Sequence, residues 1–261
     1  KELEKQGFYI IDTDILARKA VESPEVIGAL CNEFGDDIIV DGKLDRRETA
    51  RRAFATKEGK EALNAITHPE ITRLTVEEIH KAQKNGAKAA VFTHISNVFG
   101  YILPVEEMAA LCRQYRTPFI VDVAQSAGSL PVNLEKLGAA FIAMPGHKGL
   151  LGPQGTGGMC IARGVDIRPF KVGGSGVQSY SRTHPEELPT RLEAGTLNGH
   201  GIAGLGAGAD FLLERGVEAV HQYEIGLAKR FYEGVKDIPG VTAYGDFSNW
   251  NRTAVVALNI G

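Results

Sequence analysis

One amine stands out in this sequence by its surroundings. Lys148 lies in MPGHKGLLGPQGTGG, residues 144–158, with Gly146, Gly149, Gly152, Gly155, Gly157 and Gly158 about it. Backbone this bare lets a flat ligand approach closely and takes up positive φ where a turn needs it. An apolar run at 139–143 (AAFIA) precedes it and reads as a buried strand. Upstream, a second apolar run at 119–121 (FIV) ends in Asp122, followed by Val123, Ala124 and Gln125. A lysine just past one strand and an acid at the end of another are what a pyridoxal phosphate site needs. The amine forms a Schiff base, and the carboxylate keeps the pyridine nitrogen protonated so that the ring acts as an electron sink. Without a ligand, Lys148 reads as a surface lysine and Asp122 as the cap of a helix entered at Gln125, with Ser126 and Gly128 suited to the tight entry.

The elements that must position these residues follow from periodicity. A strand at 89–92 leads into THISN (93–97), where Asn97 by itself reads as a turn residue bonding its own backbone. His94 reads as a packed strand-end side chain. Gly100 starts a turn into Pro104 and a helix over 105–116. A strand is expected at 159–162, with Cys160 buried within it. The Gly/Ser/Pro-rich stretch 171–189 reads as a mobile loop near the site. Helices over 200–215 and 217–238 come next, the first rich in Gly and Ala as close packing requires, then strands at 241–243 and 253–259. Strands alternating with helices make the class α/β, with a central parallel or mixed sheet.

On the segments THISNVFGYILPVEEM (93–108), FIVDVAQSAGSLPV (119–132), the Lys148 stretch and RLEAGTLNGHGIAGLGAG (191–208), residues 93–261 resemble the class V aminotransferase and cysteine desulfurase group of fold-type I pyridoxal phosphate enzymes. The resemblance implies a large-domain core over 93–230 and the start of a small domain over 231–261. It implies a cofactor on Lys148, Asp122 against the ring nitrogen, Gln125 donating to the ring oxygen, Asn97 contacting that oxygen or the substrate, and His147 on the phosphate. Thr196 would reach the partner's cofactor phosphate in a homodimer formed through 173–200. The substrate implied is a cysteine-like amino acid, from which a thiolate takes sulfur and leaves alanine. Pro145 stands where the family usually places a Ser or Thr phosphate ligand. None of Cys31, Cys112 and Cys160 matches the family's persulfide loop, and the family's upstream phosphate loop and downstream substrate arginine have no counterpart here. At most cofactor attachment is expected, with sulfur transfer severely impaired.

The opening residues read differently. A helix end, a strand at 8–11, the acids Asp12 and Asp14, and a helix from about Ile15 come first, with Asp14 placed either to cap that helix or to act in a site. Helices follow over 24–34, 45–54, 58–66 and 70–85, with a hairpin through 40–43. GFYIIDTDILAR (7–18), Phe34-Gly35, GKLDRRETARRAF (42–54) and LNAITHPEI (63–71) make residues 1–92 resemble the dephospho-coenzyme A kinases. That resemblance implies Asp12 or Asp14 as general base and Arg18 on a substrate phosphate. No G-x-x-x-x-G-K-[ST] occurs in the chain, so ATP and magnesium binding and phosphoryl transfer are not expected. The two resemblances meet at 86–93 (GAKAAVFT). The chain reads as a fusion of two incomplete domains, or as one α/β domain that accommodates both; a remnant binding a nucleotide or coenzyme A precursor and an inert interaction module are the rival functions.

Composition narrows the classes further. Lys and Arg total 29 against 32 Asp and Glu, which gives no reason to expect a nucleic-acid partner. No apolar run approaches the roughly 20 residues of a membrane span, and no secretory leader is visible. Three isolated cysteines without a CxxC pair fit a reducing cytoplasm, and seven histidines without HxxxH spacing give no metal site.

Overall fold

The computed structural model describes residues 2–5, 7–178 and 180–261, apart from the side chains of Glu2, Leu3, Asp14 and Lys57. The chain divides into two compact units, Lys1–Lys88 and Ala89–Gly261.

The first unit is helical. α1 (Glu2–Lys5), α2 (Thr13–Ala20) and α3 (Pro24–Phe34) lead into a hairpin of β1 (Ile39–Val40) and β2 (Lys43–Leu44), then α4 (Arg46–Ala53) and α5 (Lys57–Lys84). Pro24 opens α3, where its missing N–H is not needed. The Asp45 carboxylate caps α4 by accepting from the Arg47 and Glu48 amides, and the Thr56 hydroxyl caps α5. The expected break near Pro69 is absent: α5 runs through it as one helix of 28 residues. A proline costs an interior helix one hydrogen bond. Here Leu63 and Ile66 before it and Ile71 and Leu74 after it are each held in a core, which carries the helix across. The expected strand at 8–11 is also absent, and Phe8, Tyr9 and Ile10 are exposed. A strand needs a ladder partner for its backbone groups, and no described strand pairs with these residues.

The second unit is built on a four-stranded sheet in the order β3 (Ala90–Thr93), β4 (Phe119–Asp122), β5 (Phe141–Pro145), β6 (Gly157–Ile161). β3, β4 and β5 are parallel, and β6 returns antiparallel to β5 through the glycine-rich turn. α6 (Val105–Gln114) crosses between β3 and β4 and lays Val105, Ala109 and Cys112 on Phe119, Val121 and Ile142. Val121 and Ile142 are register partners, so one face of the sheet is the core. Asp122 and Ala143, the next pair, point to the opposite face by strand alternation. Cys160 pairs with Ile142 but is exposed, not buried as expected, because β6 is the sheet's edge and the core cluster does not extend to it. α7 (Gly199–Arg215) and α8 (Val217–Val235) follow, then β7 (Val241–Tyr244) paired antiparallel with β8 (Ala257–Ile260). The strand expected from 253 begins only at Ala257; the residues before it form a strap bonded to the turn at Gly100.

Candidate active site

Parallel strands open at one edge. Asn97 follows the carboxyl end of β3, Asp122 and Gln125 lie at and beyond that of β4, and His147 and Lys148 follow that of β5. This is the edge at which open α/β sheets bind ligands.

Beyond Asp122 the chain makes turns, not the expected helix. The Asp122 carboxylate accepts from the Ala124 amide at 2.8 Å and fixes the first turn. Gly128 (φ +86°) then lies against Gly149, so closely that a Cβ on Gly128 would stand 2.0 Å from the Gly149 carbonyl oxygen. From the other side, a Cβ on Gly149 would stand 2.4 Å from the Ala127 carbonyl oxygen. The loop that carries Asp122 and the loop that carries Lys148 are therefore seated backbone to backbone, which only this pair of glycines permits.

The Lys148 loop is closed by its own amides. Gly146 N donates to the Thr156 carbonyl and Gly152 N to the Gly146 carbonyl, each at 2.7 Å, and Leu151 N donates to the Lys148 carbonyl at 2.9 Å. Beneath it runs α7. A Cβ on Gly208 would be 2.4 Å from the Leu150 carbonyl oxygen, one on Gly204 3.2 Å from the Pro153 ring, and one on Gly201 2.7 Å from the Thr156 methyl. Glycines at spacings of three and four share one helix face, and that face is the bed of the loop. Thr196 is exposed, two residues before Asn198, whose side chain accepts from Gly201 N at 3.0 Å and caps α7.

The side chains of His147 and Lys148 are exposed and make no hydrogen bond or ion pair among the described residues. Gln125 is half-buried on the wall of an open cleft of about 530 Å³, with Ser129, Glu224, Leu227, Phe231 and Val255. Asn97 is exposed in a turn where the Ser96 hydroxyl accepts from Phe99 N at 3.2 Å. His94 is buried, as expected of a packed side chain. Its Nδ1 pairs with the Ser126 hydroxyl at 2.8 Å, and burial pushes its pKa down. A free amine, a carboxylate engaged by one amide, two carboxamides and an imidazole, on backbone stripped of Cβ atoms, fit a flat phosphorylated pyridine aldehyde.

In the first unit the Asp12 carboxylate accepts from Ile15 N at 3.2 Å and caps α2, the part expected of Asp14, whose side chain lies outside the described residues. Arg18 lines a separate cavity of about 330 Å³ with Arg46, Asn64, Thr67 and His68. Asp12 is not on its wall.

Sequence reasoning gave Ser126 only a place in a tight chain entry and passed over Arg252. Ser126 reads as an ordinary turn residue until its bond to His94 is seen. Nothing local marks Arg252, which is buried at 2% exposure. The glycine spacing of α7 was a visible signal of close packing, but its partner was not.

Two family models match this chain. One described as aminotransferase class-V covers residues 49–261, and one described as dephospho-CoA kinase covers residues 1–96. A probable cysteine desulfurase of Methanothermobacter thermautotrophicus is 34% identical over 175 residues, 66% of this chain and 44% of its own length. A cysteine desulfurase of Salmonella newport is 32% identical over 233 residues, 87% of this chain and 56% of its own. Among solved structures, the cysteine desulfurase of Thermococcus onnurineus NA1 superposes with a TM-score of 0.55 at 34% identity, covering 70% of this chain and 47% of that one. An Escherichia coli cysteine desulfurase gives 0.55 at 22% identity over 65% of this chain and 42% of its own, a likeness of fold. The chain thus spans about half the length of the relatives it matches.

Proposed function

This chain belongs to the aminotransferase class-V family, and on that premise we propose that its second unit binds pyridoxal phosphate on Lys148 and takes a cysteine-like amino acid as substrate. The observation that carries the reading is the Gly128–Gly149 contact, which seats the loops bearing Asp122 and Lys148 together at one sheet edge. The Lys148 amine would hold the cofactor and move the substrate's proton; Asp122 would keep the ring nitrogen protonated. Gln125 and Asn97 would donate to the ring oxygen, and His147 and a partner subunit's Thr196 would hold the phosphate. Bound there, the cofactor supplies an electron sink.

Sulfur transfer is a separate matter, because it needs a thiolate at that edge. Cys112 is buried in α6, where burial raises its pKa, and Cys160 sits on β6 opposite Ile142. Neither is in the edge loops, so turnover of cysteine by this chain is expected to be slow. A homodimer through residues 173–200 is part of the proposal, supported by the exposed Val177, Leu188 and Leu197 in that stretch. The two family matches support a composite chain, and three free cysteines suit a reducing cytoplasm. No helix among the described residues is long and apolar enough to cross a membrane.

The test is to add pyridoxal phosphate, reduce with borohydride and map the modified peptide. The expected outcome is one pyridoxyl group at Lys148, absent from Lys148→Ala. Labelling spread over several lysines, or none at Lys148, would overturn the proposal. A second reading has its own observation: the kinase-model match over 1–96 and the cavity holding Arg18, Arg46 and His68 favour binding of an anionic coenzyme A precursor by the first unit. Calorimetry with dephospho-coenzyme A separates the two, since the lysine site predicts no heat from that ligand.

A further inference from the structure

One buried cation has no part in the site as described so far. Arg252 lies in the strap between β7 and β8, at 2% exposure. Its Nη1 donates to the Asp246 carbonyl at 2.9 Å, and its Nη2 donates to the Val255 carbonyl at 2.6 Å and to the Phe99 carbonyl. The guanidinium lies 4.0 Å from the centre of the Phe247 ring, which stacks on Tyr232. Nε has no hydrogen-bond partner among the described residues. A buried charge of this kind is costly, and arginine is chosen over lysine where a planar fork must reach several acceptors at once.

Two of those acceptors belong to the strap itself; the third does not. Phe99 ends the turn that carries Asn97. Inside that turn Gly100 N donates to the Ser96 carbonyl at 2.8 Å and Phe99 N to the Ser96 hydroxyl at 3.2 Å, so it is closed on itself. What orients it from outside is the strap: Arg252 on the Phe99 carbonyl, and Thr253 N on the Gly100 carbonyl at 2.9 Å. Gly100 (φ +70°) fits so tightly that a Cβ would stand 3.0 Å from the Thr253 carbonyl oxygen. Asn97 is exposed and makes no hydrogen bond of its own among the described residues, so the turn sets the backbone position from which its carboxamide reaches.

We infer that Arg252 is a positioning residue for the Asn97 turn, holding it at the carboxyl edge of β3 and thereby tying the β7–β8 hairpin to the cofactor site. The functional half of this inference rests on the cofactor reading above; the clamp itself does not.

The test compares Arg252→Lys with Tyr101→Phe in the full chain. The Tyr101 hydroxyl accepts from Asp246 N at 2.6 Å, so its loss loosens the strap without touching the Phe99 carbonyl. Amide exchange of a peptide spanning 96–103 is expected to quicken about tenfold in Arg252→Lys while the β4 and β5 peptides stay as in wild type, and the pyridoxal phosphate Kd to rise about tenfold. Tyr101→Phe is expected to lower the melting temperature comparably but to change that Kd by less than about twofold. Exchange over 96–103 unchanged in Arg252→Lys would overturn the inference, as would equal loss of cofactor affinity in both variants. If Arg252→Lys does not fold, Gly100→Ala wedges the same contact from the turn's side and carries the same expectations. A wild-type chain that binds no pyridoxal phosphate would refute the cofactor reading, and the exchange measurement would still decide the clamp.

Discussion

Two glycines in one helix should respond to the same substitution with opposite signs. Gly206 and Gly208 both lie in the interior of α7. An exposed helical glycine replaced by alanine stabilises by about 0.5–1 kcal/mol, because alanine loses less backbone freedom on folding. Gly206 is exposed with nothing within 4 Å of a built Cβ, so Gly206→Ala should show this gain in full. At Gly208 the same methyl would stand 2.4 Å from the Leu150 carbonyl oxygen, roughly an ångström inside ordinary contact, and the atom it meets is backbone. Overpacking of that kind costs about 1–3 kcal/mol. The propensity gain is common to both variants and cancels, so the difference between them is the overpacking cost, about 2 kcal/mol. For a unit of this size that separates the melting temperatures by about 4–8 °C, readable in urea or thermal unfolding. Pyridoxal phosphate affinity should fall in Gly208→Ala and hold in Gly206→Ala, since only the first moves the Lys148 loop. If Gly208→Ala were as stabilising as Gly206→Ala, α7 would not be the bed of that loop, and the account of how Lys148 is positioned would be wrong.

Two further outcomes follow from other parts of the molecule. Burial holds the His94 pKa below its ordinary value, so the folded chain resists a proton that the unfolded chain accepts. Stability of the second unit should therefore be full above the unfolded value of about 6.5 and fall as pH drops through and below it, a slope that His94→Gln removes in pH-dependent melting. In the first unit, Arg52 binds the Phe34 carbonyl at 2.6 Å and reaches both Asp37 and Glu48, and hydrogen bonds from Arg51 and Arg52 hold the Glu48 carboxyl down at about 2. Arg52→Met should lower the urea midpoint of that unit, and more so at low salt; an unchanged midpoint would mean the network is ornamental.

The local chemistry was readable from residue order. Apolar runs ending in Asp122 and in the turn before Lys148 marked two strand ends, and the elements α6, α7 and α8 followed from 3.6-residue periodicity, because a strand or helix buries a face that its own sequence must supply. The density of glycine around Lys148 announced close backbone approach without saying to what. Where the chain misled, a partner outside the segment was responsible. The apolar run at 8–11 has strand composition but no described strand to pair with, and α5 passes Pro69 because cores on both sides hold it. Cys160 has the composition of a buried position and stands instead on an edge strand. Contacts across long separations decide such matters: Gly128 against Gly149, Gly208 against Leu150, Arg252 against Phe99. Each is a fit between two surfaces far apart in the chain, and whether a methyl or a guanidinium fits there is a property of the packed pair that neither segment carries alone.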